Sequence, residues 1–492
     1  MSDKMAEPRR LHPATLVVRW LKIVPQMLAA FIGLTVAVMK EGVGGALLTA
    51  VLLLLAGGVF VALAWWRFTY RVEANEIVIE KGVLQRQRRV IPFDRVQDIA
   101  IEQPLLARIF GTARVTVETG GSDKEEGRLD MIGLGDARAL RDRVRRGKAG
   151  APAAADAVDA PPAEEPLLFA MDVPRLLLAG LFNFSLVFLA VIGAVLQYLD
   201  QLGLVEWNQW FNSERADQAL HMATMGTVAI LAVALILAGM VAGVVRMVSA
   251  NFGFRLTRAA AGFRRKRGLV TLTDVVIPLR RTQVALIESG PLQRLFGWHA
   301  LSFQTLGADR KEGGVQIAAP FARMAELLPI LAEAGFPAPP PRTEFHGVPR
   351  RALLRRAGPW LALAAIATGA AFAIEPLAGL GGAALLALAL AAVLRWRKHG
   401  HALDDRALFV RHGFLTRRLW IIPFEKAQTI NVSRGPLQRP LALASLLVDT
   451  AGGSGLYNQA IVDLDARDAE RLADRLLALF YPARARARLQ PQ

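Results

Sequence analysis

Three segments of the chain share one spacing, and this constrains the fold more than any single motif. A glycine (Gly82, Gly268, Gly413) is followed ten residues later by a proline (Pro92, Pro278, Pro423), and five residues further by a glutamine (Gln97, Gln283, Gln428). Copies two and three then share Gly-Pro-Leu-Gln-Arg, with Gly290, Pro291 and Arg294 matching Gly435, Pro436 and Arg439; copy one keeps only Leu106 and Arg108 of it. A fixed period of this kind signals one supersecondary unit built repeatedly. Between the anchors, apolar and polar residues alternate, as in EIVIE (76–80), RVTVET (114–119) and ALFVRHG (407–413). That is the period of a strand with one buried face. The glycine suits a hairpin turn that needs positive φ, and the proline suits a strand end where no ladder donor is required. Each copy closes in a helical pattern: LGDARALRDRVRRG (134–147), PFARMAELLPILAEAG (320–335) and DARDAERLADRLLALF (465–480). The expectation is three compact β modules, each sealed by a C-terminal helix.

Apolar stretches separate the copies. A spanning helix needs about 20 mostly apolar residues, and 24–39, 43–66, 174–199, 219–248, 357–374 and 377–395 come close. They fall in pairs with short or acidic intervals: Lys40 and Glu41; Asp200, Glu206, Glu214, Arg215 and Asp217; Glu375 and Pro376. The outer flanks are basic: Arg9, Arg10, Arg19 and Lys22; Arg67 and Arg71; Arg246, Arg255 and Arg258; Arg350, Arg351, Arg355 and Arg356; Arg395, Arg397 and Lys398. Lysine and arginine stay on the cytoplasmic side, so the asymmetry predicts three hairpins pointing outward, with both termini and every large soluble segment inside. Trp20, Trp65, Trp66, Trp207, Trp210, Trp360 and Trp396 lie near span ends, where interfacial anchors belong. The opening segment is too polar for the core of a secretory signal and is expected to be a basic tail.

The predicted fold class is therefore an α + β membrane protein with six transmembrane helices in three hairpins. The predicted domains are a tail (1–23), hairpin (24–66), module (67–146), linker (147–168), hairpin (169–248), module (249–335), linker (336–352), hairpin (353–396), module (397–481) and basic tail (482–492). Both linkers are rich in proline and alanine, as extended connectors are. A mean hydropathy of +0.33 fits apolar residues clustered in spans. The net charge of +17 tracks the span boundaries instead of one soluble face, which argues against nucleic acid as a partner.

No catalytic constellation stands out: there is no phosphate-binding Gly-rich loop, no HExxH and no nucleophile elbow. The absence of cysteine excludes disulfides, thiolate metal sites and cysteine nucleophiles. His399, His401, Asp404, Asp405 and His412 carry metal-ligand chemistry, but they follow a span among Arg397 and Lys398, which disfavours a cation. The spans hold no acids at mid-depth, as proton- or ion-coupled transporters require. Gly239-Met-Val-Ala-Gly243 matches the small-xxx-small helix-packing pattern, within one chain or between chains. Three basic clusters lie near the hairpins and are candidate lipid contacts: Arg86, Arg88 and Arg89; Arg264, Arg265 and Lys266; Arg417 and Arg418. Each juxtamembrane cation contributes about 1 kcal/mol toward anionic lipid, although a tethered module needs little further anchoring.

The spacing from Ile91-Pro92 to Gln97, from Ile277-Pro278 to Gln283 and from Ile422-Pro423 to Gln428, with the Gly-Pro-Leu-Gln-Arg turns and the alternation of hairpin and module, resembles the bacterial pleckstrin-homology-like family (bPH2, formerly DUF304), in its large YdbT-type membrane proteins. Copy one departs from the turn at Pro104-Leu105, and copy three has Pro440-Leu441-Ala442 where copy two has Leu-Phe-Gly. The resemblance implies a bent antiparallel β sandwich with a C-terminal helix. It also implies residence in the bacterial inner membrane and a partner that is a smaller, single-module relative, besides membrane lipids or self-association. The functional expectation is a non-enzymatic scaffold without cofactor, its modules binding each other or a partner. The alternative is a lipid-sensing accessory in envelope stress or in peptide export and resistance.

Overall fold

The three spacing glycines solve one local problem in one way. In the computed structural model, which describes residues 7–21, 42–83, 85–119, 127–149, 165–183, 225–306, 314–373, 378–451 and 460–489, Gly82, Gly268 and Gly413 have φ of 115°, 115° and 99°. A Cβ on any of them would lie 1.9 Å from the carbonyl oxygen three residues on, at Gln85, Thr271 and Thr416. Only glycine fits such a turn.

The first repeat follows helix α1 (Gly42–Trp66) and comprises β1 (Thr69–Val72), β2 (Glu76–Lys81), β3 (Gln87–Pro92), β4 (Val96–Pro104), α2 (Leu105–Ile109), β5 (Thr112–Thr119), β6 (Arg128–Gly133) and α3 (Leu134–Ala149). Then come β7 (Leu167–Ala170), α4 (Val173–Phe182) and α5 (Met225–Asn251). The second repeat is β8 (Arg255–Ala259), β9 (Gly262–Arg267), β10 (Thr271–Pro278), β11 (Thr282–Ser289), α6 (Pro291–Leu295), β12 (Trp298–Thr305), β13 (Val315–Arg323) and α7 (Met324–Glu333). After β14 (His346–Gly347) and the helix pair α8 (Ala352–Ala373) and α9 (Ala378–Lys398), the third is β15 (Gly400–Leu403), β16 (Ala407–His412), β17 (Arg417–Pro423), β18 (Ala427–Ser433), β19 (Leu443–Thr450), β20 (Ala460–Asp465) and α10 (Ala466–Leu489). Pro92, Pro278 and Pro423 each close the third strand of their repeat. Gln97, Gln283 and Gln428 each fall where the ladder register slips at the start of the fourth strand. A bulge of this kind bends the strand, which lets the chain turn from one layer of the sandwich into the other.

The chain divides into two compact units, Met1–Pro166 with Arg264–Val276, and Leu167–Phe263 with Ile277–Gln492. In the first unit, Ile77, Ile79 and Ile91 face Ile99, Ile101, Val115, Val117 and Leu129, and Leu140 and Val144 of α3 seal the layer. In the second, Phe303, Phe321 and Trp298 pack with Leu327, Ile330 and Leu331 of α7, and a further core joins Leu446, Val448 and Ile461 to Leu472, Leu476 and Phe480 of α10. α4 crosses α5 so closely that a Cβ on Gly243 would sit 2.6 Å from the Gly180 carbonyl oxygen. That half of the small-xxx-small pattern therefore serves packing within the chain.

The division is offset from the repeats because neighbouring repeats share sheets. In the first unit β10 pairs antiparallel with β4, Leu272 opposite Gln103 and Asp274 opposite Ile101. In the second unit β17 pairs with β11, Arg417 opposite Ser289 and Leu419 opposite Ile287. Aligned on the spacing glycines and glutamines, these are the same positions in the same register. The resulting sheet in the second unit runs β13-β12-β11-β17-β16-β15-β14, and where β11 meets β17 it is buried on both sides. Ala285, Ile287 and Ile421 enter the core of repeat two, while Val284, Leu286, Trp420 and Ile422 enter that of repeat three.

The six-helix, three-hairpin membrane architecture is corrected. Among the described residues one helix, over Val233–Asn251, is long and apolar enough to cross a membrane, and Leu54–Trp66 is a shorter apolar stretch. The expected span at 24–39, most of 174–199 and the start of 219–248 lie outside the described residues. The third hairpin fails for a physical reason. α8 and α9 are built largely from alanine and glycine, whose transfer from water yields little per residue. Arg351 just before α8 is ion-paired to Asp465, and Arg355 and Arg356 in its first turns to Asp463 of the third module.

Candidate functional site

The junction between repeats two and three is built around the Gly-Pro-Leu-Gln-Arg turn. Gln293 Oε1 accepts a hydrogen bond from the Gly290 amide at 2.8 Å, and Gln438 Oε1 from the Gly435 amide at 2.9 Å, so the glutamine clamps the turn alike in both copies. Pro291 opens the short helix α6, where its missing amide proton costs nothing. Arg294, at the far end, donates from Nη1 to the Phe414 carbonyl oxygen at 3.0 Å, reaching the tip of the β16–β17 hairpin. Arg439 in the third copy makes no ion pair within 4.0 Å among the described residues.

The basic residues singled out as lipid contacts have different surroundings. Arg264 donates Nε and Nη2 to the two carboxylate oxygens of Asp274 at 2.8 and 2.7 Å and lies 3.3 Å from Glu165. Arg141 reaches the same Asp274 at 3.1 Å. Arg265 is 3% exposed, so its guanidinium is part of the interior. Arg418 binds Glu288 at 2.6 Å across the β11–β17 ladder. Arg88 lies 3.8 Å from Glu80. Arg86 and Lys266 are exposed, and Arg89 is half-buried. Arg417 is half-buried, with its Nε shielded from solvent and without an acceptor.

Two of the histidines after α9 serve as acceptors. His399 Nε2 accepts from the Val462 amide at 3.1 Å, and His412 Nε2 from the Trp420 indole at 3.0 Å. Burial, then the charge of Arg356, pushes His399 down to about 3, and burial, then His346, pushes His401 down to about 4. The sign follows: above about pH 6.5 His399 is neutral folded or unfolded, while below it only the unfolded chain takes the proton, so stability falls with pH. At about pH 5 the loss from His399 is roughly 2 kcal/mol. The melting midpoint should drop between about pH 7 and 5, and His399→Gln, which keeps an acceptor that does not titrate, should flatten the drop. An unchanged slope in the variant would show that His399 is not the titrating group.

Two features escaped the sequence reading. Asp463, 0% exposed and at φ 68°, accepts from Arg355 at 2.5 Å, Arg356 at 2.6 Å and Gln438 at 2.8 Å, tying α8 to β20 and to the third turn. The short helices also expose apolar side chains: Leu105, Ile109 and Phe110 in repeat one, and Leu292, Leu295 and Phe296 in repeat two. The repetition of apolar residues around the Arg108 and Arg294 positions was the available signal.

The family model described as bacterial PH domain matches the chain three times, over residues 23–148, 173–334 and 357–480. Among curated proteins, the chain is 25% identical over 373 residues to the transmembrane protein YdbT of Bacillus subtilis (strain 168), covering 71% of this chain and 74% of that protein. No solved structure matches.

Proposed function

The chain belongs to the bacterial PH domain family, and from that premise we propose that it is a non-enzymatic membrane scaffold that recruits a partner by edge-strand pairing. Membrane residence is supported by the relative's description as a transmembrane protein and by the apolar Val233–Asn251 helix. The basic flanks favour modules on the cytoplasmic face. One observation carries the scaffold reading: the chain already joins its own repeats by adding the third strand of one repeat to the fourth strand of the repeat before, twice in one register. Such pairing takes affinity from main-chain hydrogen bonds and tolerates many sequences.

Among the described residues the same two edges remain open at the ends of the array, at β3 and at β18. Their outer residues are polar where the β11–β17 junction is apolar. Thr429 and Asn431 stand where β11 has Val284 and Leu286, and Arg88 stands where β17 has Leu419. Polar edges resist random aggregation and suit a dissociable partner. Extrapolating the internal register sets Arg86 of a second copy opposite Arg434, a like-charge pair that disfavours end-to-end self-assembly. An acidic edge strand from another, smaller PH-like module fits better.

The expected result is that protein extracted from its native membranes in mild detergent has a mass above that of one copy. Asn431→Pro with Arg434→Glu should reduce that mass to one copy while leaving the melting midpoint within a few degrees. A wild-type chain of single-copy mass, or a larger assembly indifferent to the double substitution, would sink the reading.

A further inference from the structure

Five cations of the second unit converge on one hairpin tip, and among the described residues none of them is ion-paired to a carboxylate. Arg411 and Arg417 flank the Gly413 turn. Arg294 reaches into that turn through the Phe414 carbonyl. The Arg411 guanidinium lies 4.5 Å from the centre of the Phe345 ring, which brings the nearby Arg342 alongside. Lys398 ends α9 two residues before Gly400, and Gly400 pairs with Arg411 across the β15–β16 ladder. None of the five has a carboxylate partner within 4.0 Å among the described residues, although Arg418 next door pairs with Glu288. The Nε atoms of Arg411 and Arg417 are shielded from water and lack an acceptor. The mutual proximity is felt electrostatically: Arg417 first, then burial, then Arg411, Arg342 and Arg294 lower the proton affinity of Lys398. Holding like charges together raises the free energy of the empty protein, and an anion placed among them relieves it.

The rim of the cluster is apolar. Leu295 is 77% exposed beside Arg294, and Leu415 is 65% exposed beside Phe414. A small free anion has no use for these side chains, whereas a ligand with a phosphate at one end and hydrocarbon at the other meets both. We propose that Arg294, Arg342, Lys398, Arg411 and Arg417 form a binding site for the phosphate headgroup of an anionic phospholipid, with Leu295 and Leu415 against its acyl end. The site differs from the juxtamembrane clusters named from sequence, of which it includes only Arg417. It rests on membrane residence but not on the scaffold role, and its test does not read assembly size.

The test is a melting experiment on the full chain in neutral detergent at low salt, titrated with short-chain phosphatidylglycerol, short-chain phosphatidylcholine or inorganic phosphate. Phosphatidylglycerol should raise the midpoint saturably, inorganic phosphate less, and phosphatidylcholine not at all. Arg342→Gln with Lys398→Gln should weaken the apparent affinity for phosphatidylglycerol roughly thirtyfold, from about 1 kcal/mol for each cation. The same pair should not lower the lipid-free midpoint, because it removes repulsion. Leu295→Ser with Leu415→Ser should reduce the response to lipid and spare the response to phosphate. A lipid-free midpoint that falls in the cation variant, or no rise with phosphatidylglycerol, would overturn the site. Equal rises with phosphate and phosphatidylglycerol would overturn the lipid assignment.

Discussion

Replacing Asp463 by alanine is expected to cost roughly 3–5 kcal/mol, the penalty for removing one partner of a buried ion pair. Asp463 is fully enclosed, and burial alone would raise its pKa. The hydrogen bonds from Arg355, Gln438 and Arg356 outweigh this and hold it below the ordinary carboxylate range. Its loss strands Arg355 and Arg356, which are 27% and 14% exposed, without a counter-charge. The damage should concentrate where those partners sit. Hydrogen exchange should speed up in α8, in β20 and in the Gly435 turn, while the first unit keeps its protection. Asp463→Asn retains an acceptor and should lose less. Equal losses for the two substitutions would mean that packing, and not charge, is what Asp463 supplies.

Trp420→Ala should also lose roughly 3–5 kcal/mol, the range for emptying a buried aromatic site. Trp420 is 1% exposed, donates its indole proton to His412 and lies opposite Leu286 of the preceding repeat. Because the shared sheet is core to both repeats, the loss should cross the boundary. β11 and β12 of repeat two should exchange faster together with β16 and β17 of repeat three. Exchange that quickens only in repeat three would show that the two cores are energetically separate despite the common sheet.

The repeat itself was legible because its anchors are backbone demands. A turn with φ near 100° names glycine, a strand end names proline, and the register slip at the start of each fourth strand falls at the shared glutamine. The sharing of sheets was written less plainly, though it was present. Val284-Ala285-Leu286-Ile287 and Leu419-Trp420-Ile421-Ile422 are unbroken apolar runs, the mark of strands covered on both faces. The open-edged Thr429-Ile430-Asn431-Val432 alternates instead. Reading all of them as period two missed the difference. The cationic cluster could not be seen in one dimension, because Arg294, Arg342, Lys398 and the Arg411–Arg417 hairpin come from four separate stretches. Nor does any spacing in the sequence announce that Arg264 pairs with Asp274 or that Arg265 is buried.

The shared sheet also sets a timetable for synthesis. β4 leaves the ribosome with its outer edge bare and stays so until the whole of the chain between Pro104 and Thr271 has been made. β11 then waits in turn for β17. During each interval a nascent edge offers its unfilled main-chain ladder to any passing strand, including the wrong one. The unit that repeats in the sequence is therefore not the unit that becomes safe from misassembly. A repeat is finished only when half of its successor has been translated, and the last to emerge releases its neighbour from this exposure.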